Sequence, residues 1–199
     1  MLQFSRLLSA VAVLNLSVLL CACATVSPVY KPSTANQAAL ATIKISNISI
    51  GDFTQPSHIS DFCRGRGPIS PPNGMTFASF VRGALEQEVL GAGGIKSGDS
   101  NLILTGKLSE INFSSSHDFF RFLILPNFFN TNGYWNLSLE LHSSNGKTLA
   151  VNEHYVFYSS FIAHIACNKT AKALPLAVND LIHKIVINKK FPDLLISRS

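Results

Sequence analysis

Charge is what this sequence has least of. Only 14% of its 199 residues are Asp, Glu, Lys or Arg, and 16 basic against 11 acidic side chains leave a formal net charge of +5. No Lys/Arg block exists beyond Arg64-Gly65-Arg66 and Lys189-Lys190. A chain without a basic stripe or a recognition motif is not expected to bind nucleic acid. Its thin positive surplus suits at most a weak attraction to anionic polymers or lipid head groups. The familiar catalytic signatures are missing too: there is no G-x-S-x-G elbow, no H-E-x-x-H helix, no phosphate-binding Gly loop and no C-x-x-C pair. Asp52, Asp61 and Asp118 fall in or beside loops and do not pair at a spacing suited to acid–base work. His154, His164 and Cys167 are the nearest approach to a metal set, but the wide gap between the two histidines argues for surface or structural roles. No catalytic residue, metal or cofactor is therefore expected.

Long hydrophobic runs are nearly as scarce. The longest, Leu7 to Leu20, is broken by Ser9, Asn15 and Ser17. It is short of the ~20 residues that a membrane-spanning helix needs, and matches the apolar stretch of a signal peptide. Arg6 precedes it, and it closes on Leu20-Cys21-Ala22-Cys23 instead of a stop-transfer cluster. These four residues resemble a bacterial lipobox: an aliphatic residue, two small ones and the acceptor Cys, with Cys21 standing where Ala or Ser is usual. The resemblance implies diacylglyceryl transfer to Cys23, cleavage before it, N-acylation, and a stable anchor made of two or three acyl chains. Ala24, in place of Asp, implies sorting to the periplasmic face of the outer membrane. On this reading residues 1–22 are a signal peptide. Residues 23–41, with Pro28, Pro32 and several Ser, Thr and Asn, form a lipidated N-terminus and flexible tether. Residues 42–199 make one periplasmic domain.

The lipobox also decides the cysteines, of which there are four. Cys21 leaves with the signal and Cys23 is consumed by lipid, so Cys63 and Cys167 remain. In an oxidising compartment such a pair usually forms a disulfide. A closed loop of about 100 residues is worth roughly 4–5 kcal/mol on the chain-entropy model. The alternative is a reactive Cys63 thiol with its pKa lowered by Arg64 and Arg66.

Periodicity supplies the elements. Thr42 to Phe53 is β-branched and alternating, with a slip at Asn47-Ile48. Thr54 to Gly74 is irregular and rich in Pro and Gly, a binding loop or a plain connector. Phe77, Phe80, Val81, Ala84, Leu85 and Val89 form a helical stripe behind the N-cap candidate Thr76, with Glu86, Gln87 and Glu88 lying mostly elsewhere. Asn101 to Phe113 changes parity near Glu110, which predicts a bulge. Trp135, Leu137, Leu139 and Leu141 alternate into the core, Asn145-Gly146 marks a hairpin, and Leu149, Val151, Tyr155 and Phe157 return. Glu153 interrupts that row, so the far end of the strand is expected to leave the core or face water. Ala171, Leu174, Val178, Leu181, Ile182 and Ile185 define a last helix that either kinks at Pro175 or begins near Leu174, followed by a tail from Asp193.

The order β-α-β-β-β-α predicts an α+β fold: a two-layer sandwich with an antiparallel sheet of about four strands and two helices on one face. Phe is abundant, with 14 copies, and clusters in His117 to Asn132. That cluster is either buried cover for the sheet or an exposed contact surface. In strand order and lipid signal the chain looks like small outer-membrane lipoproteins of the envelope-assembly type, including the lipopolysaccharide-assembly and penicillin-binding-protein-activator lipoproteins. The expected function is that of a non-catalytic, lipid-anchored envelope protein that binds a protein, glycan or lipid partner. The candidate contacts are Arg64, Arg66, Phe119, Phe120, Phe122, Leu123, Phe128 and Phe129. The competing expectation is a periplasmic thiol-dependent or hydrolytic enzyme using Cys63.

Overall fold

Alternation of apolar and polar side chains in the middle of the chain builds the sheet on which everything else rests. The computed structural model describes residues 24–43, 48–59, 62–63, 67–93, 102–115, 132–160 and 162–196. In chain order its elements are β1 (Thr25–Val26), α1 (Thr34–Ala41), β2 (Ile48–Thr54), β3 (Phe62–Cys63), β4 (Gly67–Ser70), a 3-10 turn at Pro72–Gly74, α2 (Phe77–Gly91), β5 (Leu102–Ser115), β6 (Asn132–Ser143), β7 (Thr148–Tyr158), α3 (Ala163–Val186) and α4 (Phe191–Leu194). The class is α+β, with a four-stranded sheet in the order β2-β5-β6-β7 and a three-stranded one in the order β1-β4-β3.

The hairpin β6–β7 is antiparallel and regular, pairing Trp135 with Tyr155, Leu139 with Val151 and Leu141 with Leu149. Its turn works because Gly146 takes φ +84°, and the Asn145 side chain accepts the Lys147 N–H at 2.9 Å. Strand β5 lies antiparallel to β6 with a register shift between Leu108 and Glu110. The shift turns Ile111 to the same buried side as Leu104 and Leu108. Strand β2 runs parallel to β5, a departure from the all-antiparallel expectation. The cause is α2, which carries the chain back across the sheet between the two strands, as parallel neighbours require.

Helices α2 and α3 cover one face of the main sheet. Thr76 caps α2 by accepting the Ser79 N–H. Trp135 is the centre of the layer: it is fully buried, its ring lies 6.0 Å from Phe77 and 4.8 Å from Phe113, and its indole N–H donates to the Thr170 carbonyl at 2.8 Å. Helix α3 runs through Pro175 without a break. Ala171, which loses its i+4 donor to the proline, neighbours the Thr170 carbonyl held by Trp135. No helix among the described residues is long and apolar enough to cross a membrane.

Four expectations need correction. Residues 24–41 are not a free tether: β1 pairs with β4, Tyr30 and Leu40 are buried, and α1 is capped by Ser33. The loop from Thr54 to Gly74 contains the strands β3 and β4, too short to show any periodicity. The tail begins with a helical turn whose Phe191 and Leu194 are buried; Leu194 accepts from Ser143 Oγ at 2.7 Å, and Asn145 Nδ2 reaches the carbonyls of Asp193, Leu194 and Ile196. Finally, the far end of β7 does leave the core, with Tyr155 and Phe157 only half-buried, but the departure starts beyond Glu153 and not at Glu153 itself. Glu153 is 6% exposed, and Lys184 Nζ sits 3.0 Å from its Oε2, which replaces solvent with a counter-charge.

Candidate functional site

Cys63 ends β3 and Cys167 lies in the first turns of α3. They are joined by a disulfide with 5.9 Å between Cα atoms, closing a separation of 104 positions. Both are at most 1% exposed. Strand β3 is only two residues long, so this bond and its pairing with β4 hold it against the helix layer. Cys23, Arg64, Arg66, Phe119, Phe120, Phe122, Leu123, Phe128 and Phe129 lie outside the described residues. His154 sits on β7 with Nδ1 2.6 Å from Asn136 Oδ1, and His164 is exposed on α3, so the pair does not converge on Cys167. Among the described residues no group of three or more His, Cys, Asp or Glu is placed to hold a metal ion.

The densest polar cluster is one that sequence reasoning missed. Glu88 belongs to the inward stripe of α2, one helical turn beyond Ala84 and Leu85, and is fully buried. Its Oε1 accepts the Tyr30 hydroxyl at 2.5 Å and the Ser33 backbone N–H at 2.7 Å, while its Oε2 is buried without a hydrogen-bond partner. Around them, Asn36 Nδ2 donates to the Asn179 carbonyl at 3.3 Å, Asn179 Nδ2 reaches the Tyr30 hydroxyl at 3.5 Å, and His183 Nδ1 meets Asn36 Oδ1 at 2.9 Å. Burial first, then the hydrogen bond and negative charge of Glu88, push the Tyr30 phenol far above its ordinary range. The cluster ties the N-terminal segment to α2 and α3 at once. With Glu88 at 0% exposure no substrate reaches it, so its chemistry is that of a clasp. The signal was present in outline: Ser33 three residues before Asn36 is a helix start, and Glu88 falls on the apolar stripe of α2.

A shallow cleft of about 310 Å³ opens beside the start of α2, lined by Gln55, Ser57, His58, Ser70, Met75 and Thr76 among others. Two of the first helical donors there already have acceptors. Gln55 Oε1 accepts the Ala78 N–H at 2.8 Å and Thr76 Oγ1 accepts the Ser79 N–H at 3.0 Å. The helix start is therefore a poor anion site, and no Asp, Glu or Cys lines the cleft beside His58.

No family model matches the chain, and no curated protein matches it in sequence. Among solved structures it is similar in fold to a protein of Xanthomonas campestris that carries the family label DUF330, with 13% identity and a TM-score of 0.50 over 81% of this chain and 94% of that one. A Caulobacter crescentus chain provisionally named a lipoprotein aligns over 81% of this chain and 93% of its own, at 12% identity and a TM-score of 0.36. At 13% identity the likeness to the Xanthomonas protein is one of fold alone.

Proposed function

We propose that this protein is an exported, lipid-anchored envelope lipoprotein without catalytic activity, serving to bind a protein, glycan or lipid partner at the outer membrane. The observation that carries the reading is the Cys63–Cys167 disulfide sealed in the core. A buried structural disulfide suits an oxidising compartment, the destination that Leu20-Cys21-Ala22-Cys23 implies, and it removes the thiolate on which the competing enzyme reading depends. Lipid on Cys23 and outer-membrane sorting through Ala24 rest on the lipobox resemblance. Partner contact rests on the composition of Phe119 to Phe129 and on Arg64 and Arg66.

Two measurements on protein purified from membranes test this. Thiol titration after denaturation without reductant is expected to find no free thiol, and mass spectrometry of the mature N-terminal peptide is expected to find Cys23 carrying diacylglyceryl and an N-acyl chain. A titratable Cys63 restores the enzyme reading, and an unmodified Cys23 refutes the anchor. Envelope crosslinking with a chain lacking residues 119–129 tests the partner assignment, which requires capture to be lost while the fold is kept.

A further inference from the structure

We infer that the outer face of the small sheet β1-β4-β3 lies on the bilayer to which the chain is anchored, making this sheet a membrane-contact surface. The inference rests on the lipoprotein reading and adds to it an orientation. It starts from register. Thr25 pairs with Ile69, and Cys63 with Gly67, so these four residues share the inner face, where Ile69 and Cys63 are buried. Val26 pairs with Ser70, and Phe62 with Pro68, so these four share the opposite face. On that face Phe62 is 63% exposed and Val26 56%, and Val29, three residues further on, is 57% exposed. Single exposed apolar residues are ordinary on protein surfaces, but here two stand on one face of a three-stranded sheet beside a third.

Their place in the chain names the occupant. Thr25 is two residues from Cys23, a reach of at most about 7 Å. The polar zone of one leaflet is of similar thickness, about 5–7 Å. Acyl chains on Cys23 therefore cannot hold β1 clear of the head groups. Nor can β1 swing freely on its short stalk. The ladder continues past it, with the Ser27 N–H donating to the Ser70 carbonyl at 2.8 Å, and the neighbouring β3 is bonded to α3 through Cys63. Exposed Lys31 follows in the same segment, a cation suited to anionic lipid phosphates.

The test is fluorescence of the lipidated full chain carrying Phe62→Trp in phosphatidylethanolamine–phosphatidylglycerol vesicles, with and without acyl-brominated phosphatidylcholine. The native Trp135 is buried and is the sole Trp, so subtracting the wild-type signal isolates the new probe. Brominated lipid is expected to remove most of the added emission, while Tyr158→Trp on β7, exposed at 75%, keeps its own. The N-terminal peptide mass is read on the same preparation. Lipidated Cys23 with a Phe62→Trp signal indifferent to brominated lipid overturns this inference alone. If that signal is also shielded from acrylamide, a protein partner or second copy covers the face instead. Equal quenching of both probes overturns it as well, and an unmodified Cys23 overturns the lipoprotein reading and this inference together.

Discussion

Glu88 is the residue on which the N-terminal segment depends. Its Oε1 serves two donors from that segment, and nothing else in the described structure satisfies either of them. Tyr30→Phe removes one donor and is expected to cost about 1–3 kcal/mol in denaturant unfolding, because a buried carboxylate loses one of its two hydrogen-bond donors. The same pair sets an alkaline limit. The folded phenol titrates above its unfolded value, so its contribution is complete below about pH 10 and fades as pH rises beyond it. Stability measured against pH should fall on the alkaline side, and Tyr30→Phe should flatten that limb. At Glu153, Lys184→Met strands a nearly buried carboxylate and should cost about 1–3 kcal/mol by the same measurement. The partner of neither acid could be placed from sequence. Glu88 sits beside polar Glu86 and Gln87 and finds its partner 58 positions away, and Glu153 merely breaks an alternation. What makes each tolerable inside is a tertiary neighbour, which local periodicity does not encode.

Among the elements, legibility tracked length. Helix α2, the hairpin β6–β7 and the bulge near Glu110 were readable because each spans enough residues to show its period or its break. Strands β3 and β4 hold two and four residues, less than a pattern needs, and their presence is owed to the disulfide and to Ile69 in the core. The parallel pairing of β2 with β5 follows from the α2 crossover and not from any property of either strand. Opening the disulfide tests how far one bond supports this layer. Cys63→Ala with Cys167→Ala should lower stability by about 2–4 kcal/mol, short of the full loop-closure value. Trp135, packed against both helices, reports the outcome directly through the red shift of its emission on unfolding.

For the whole molecule, the main revision concerns where the domain begins. The Pro, Ser and Thr content of residues 25–41 reads as a linker, yet the segment supplies a strand, a capped helix, buried Leu40 and half of the Glu88 cluster. Composition misleads here because the segment docks mainly through hydrogen bonds and a few apolar anchors. A chain that starts at Thr42 should consequently lose cooperativity or unfold at a distinctly lower temperature, whereas removal of a true tether would leave the melting curve unchanged; differential scanning calorimetry decides between these. The residues proposed for partner contact rest on composition alone, and the clasp is not legible as a unit because its members come from three distant parts of the chain.

That distance has a consequence in time. Asn179 meets Asn36 and Tyr30 across 143 and 149 positions, and Cys63 meets Cys167 across 104. A polypeptide emerging N-terminus first at roughly 5–20 residues per second leaves its leading segment unlatched for on the order of ten seconds. During that interval β1 lacks its lasting supports. On the proposed lipoprotein reading, this delay is what gives the acylating and cleaving enzymes access to a cysteine that the finished fold holds within two residues of a paired strand.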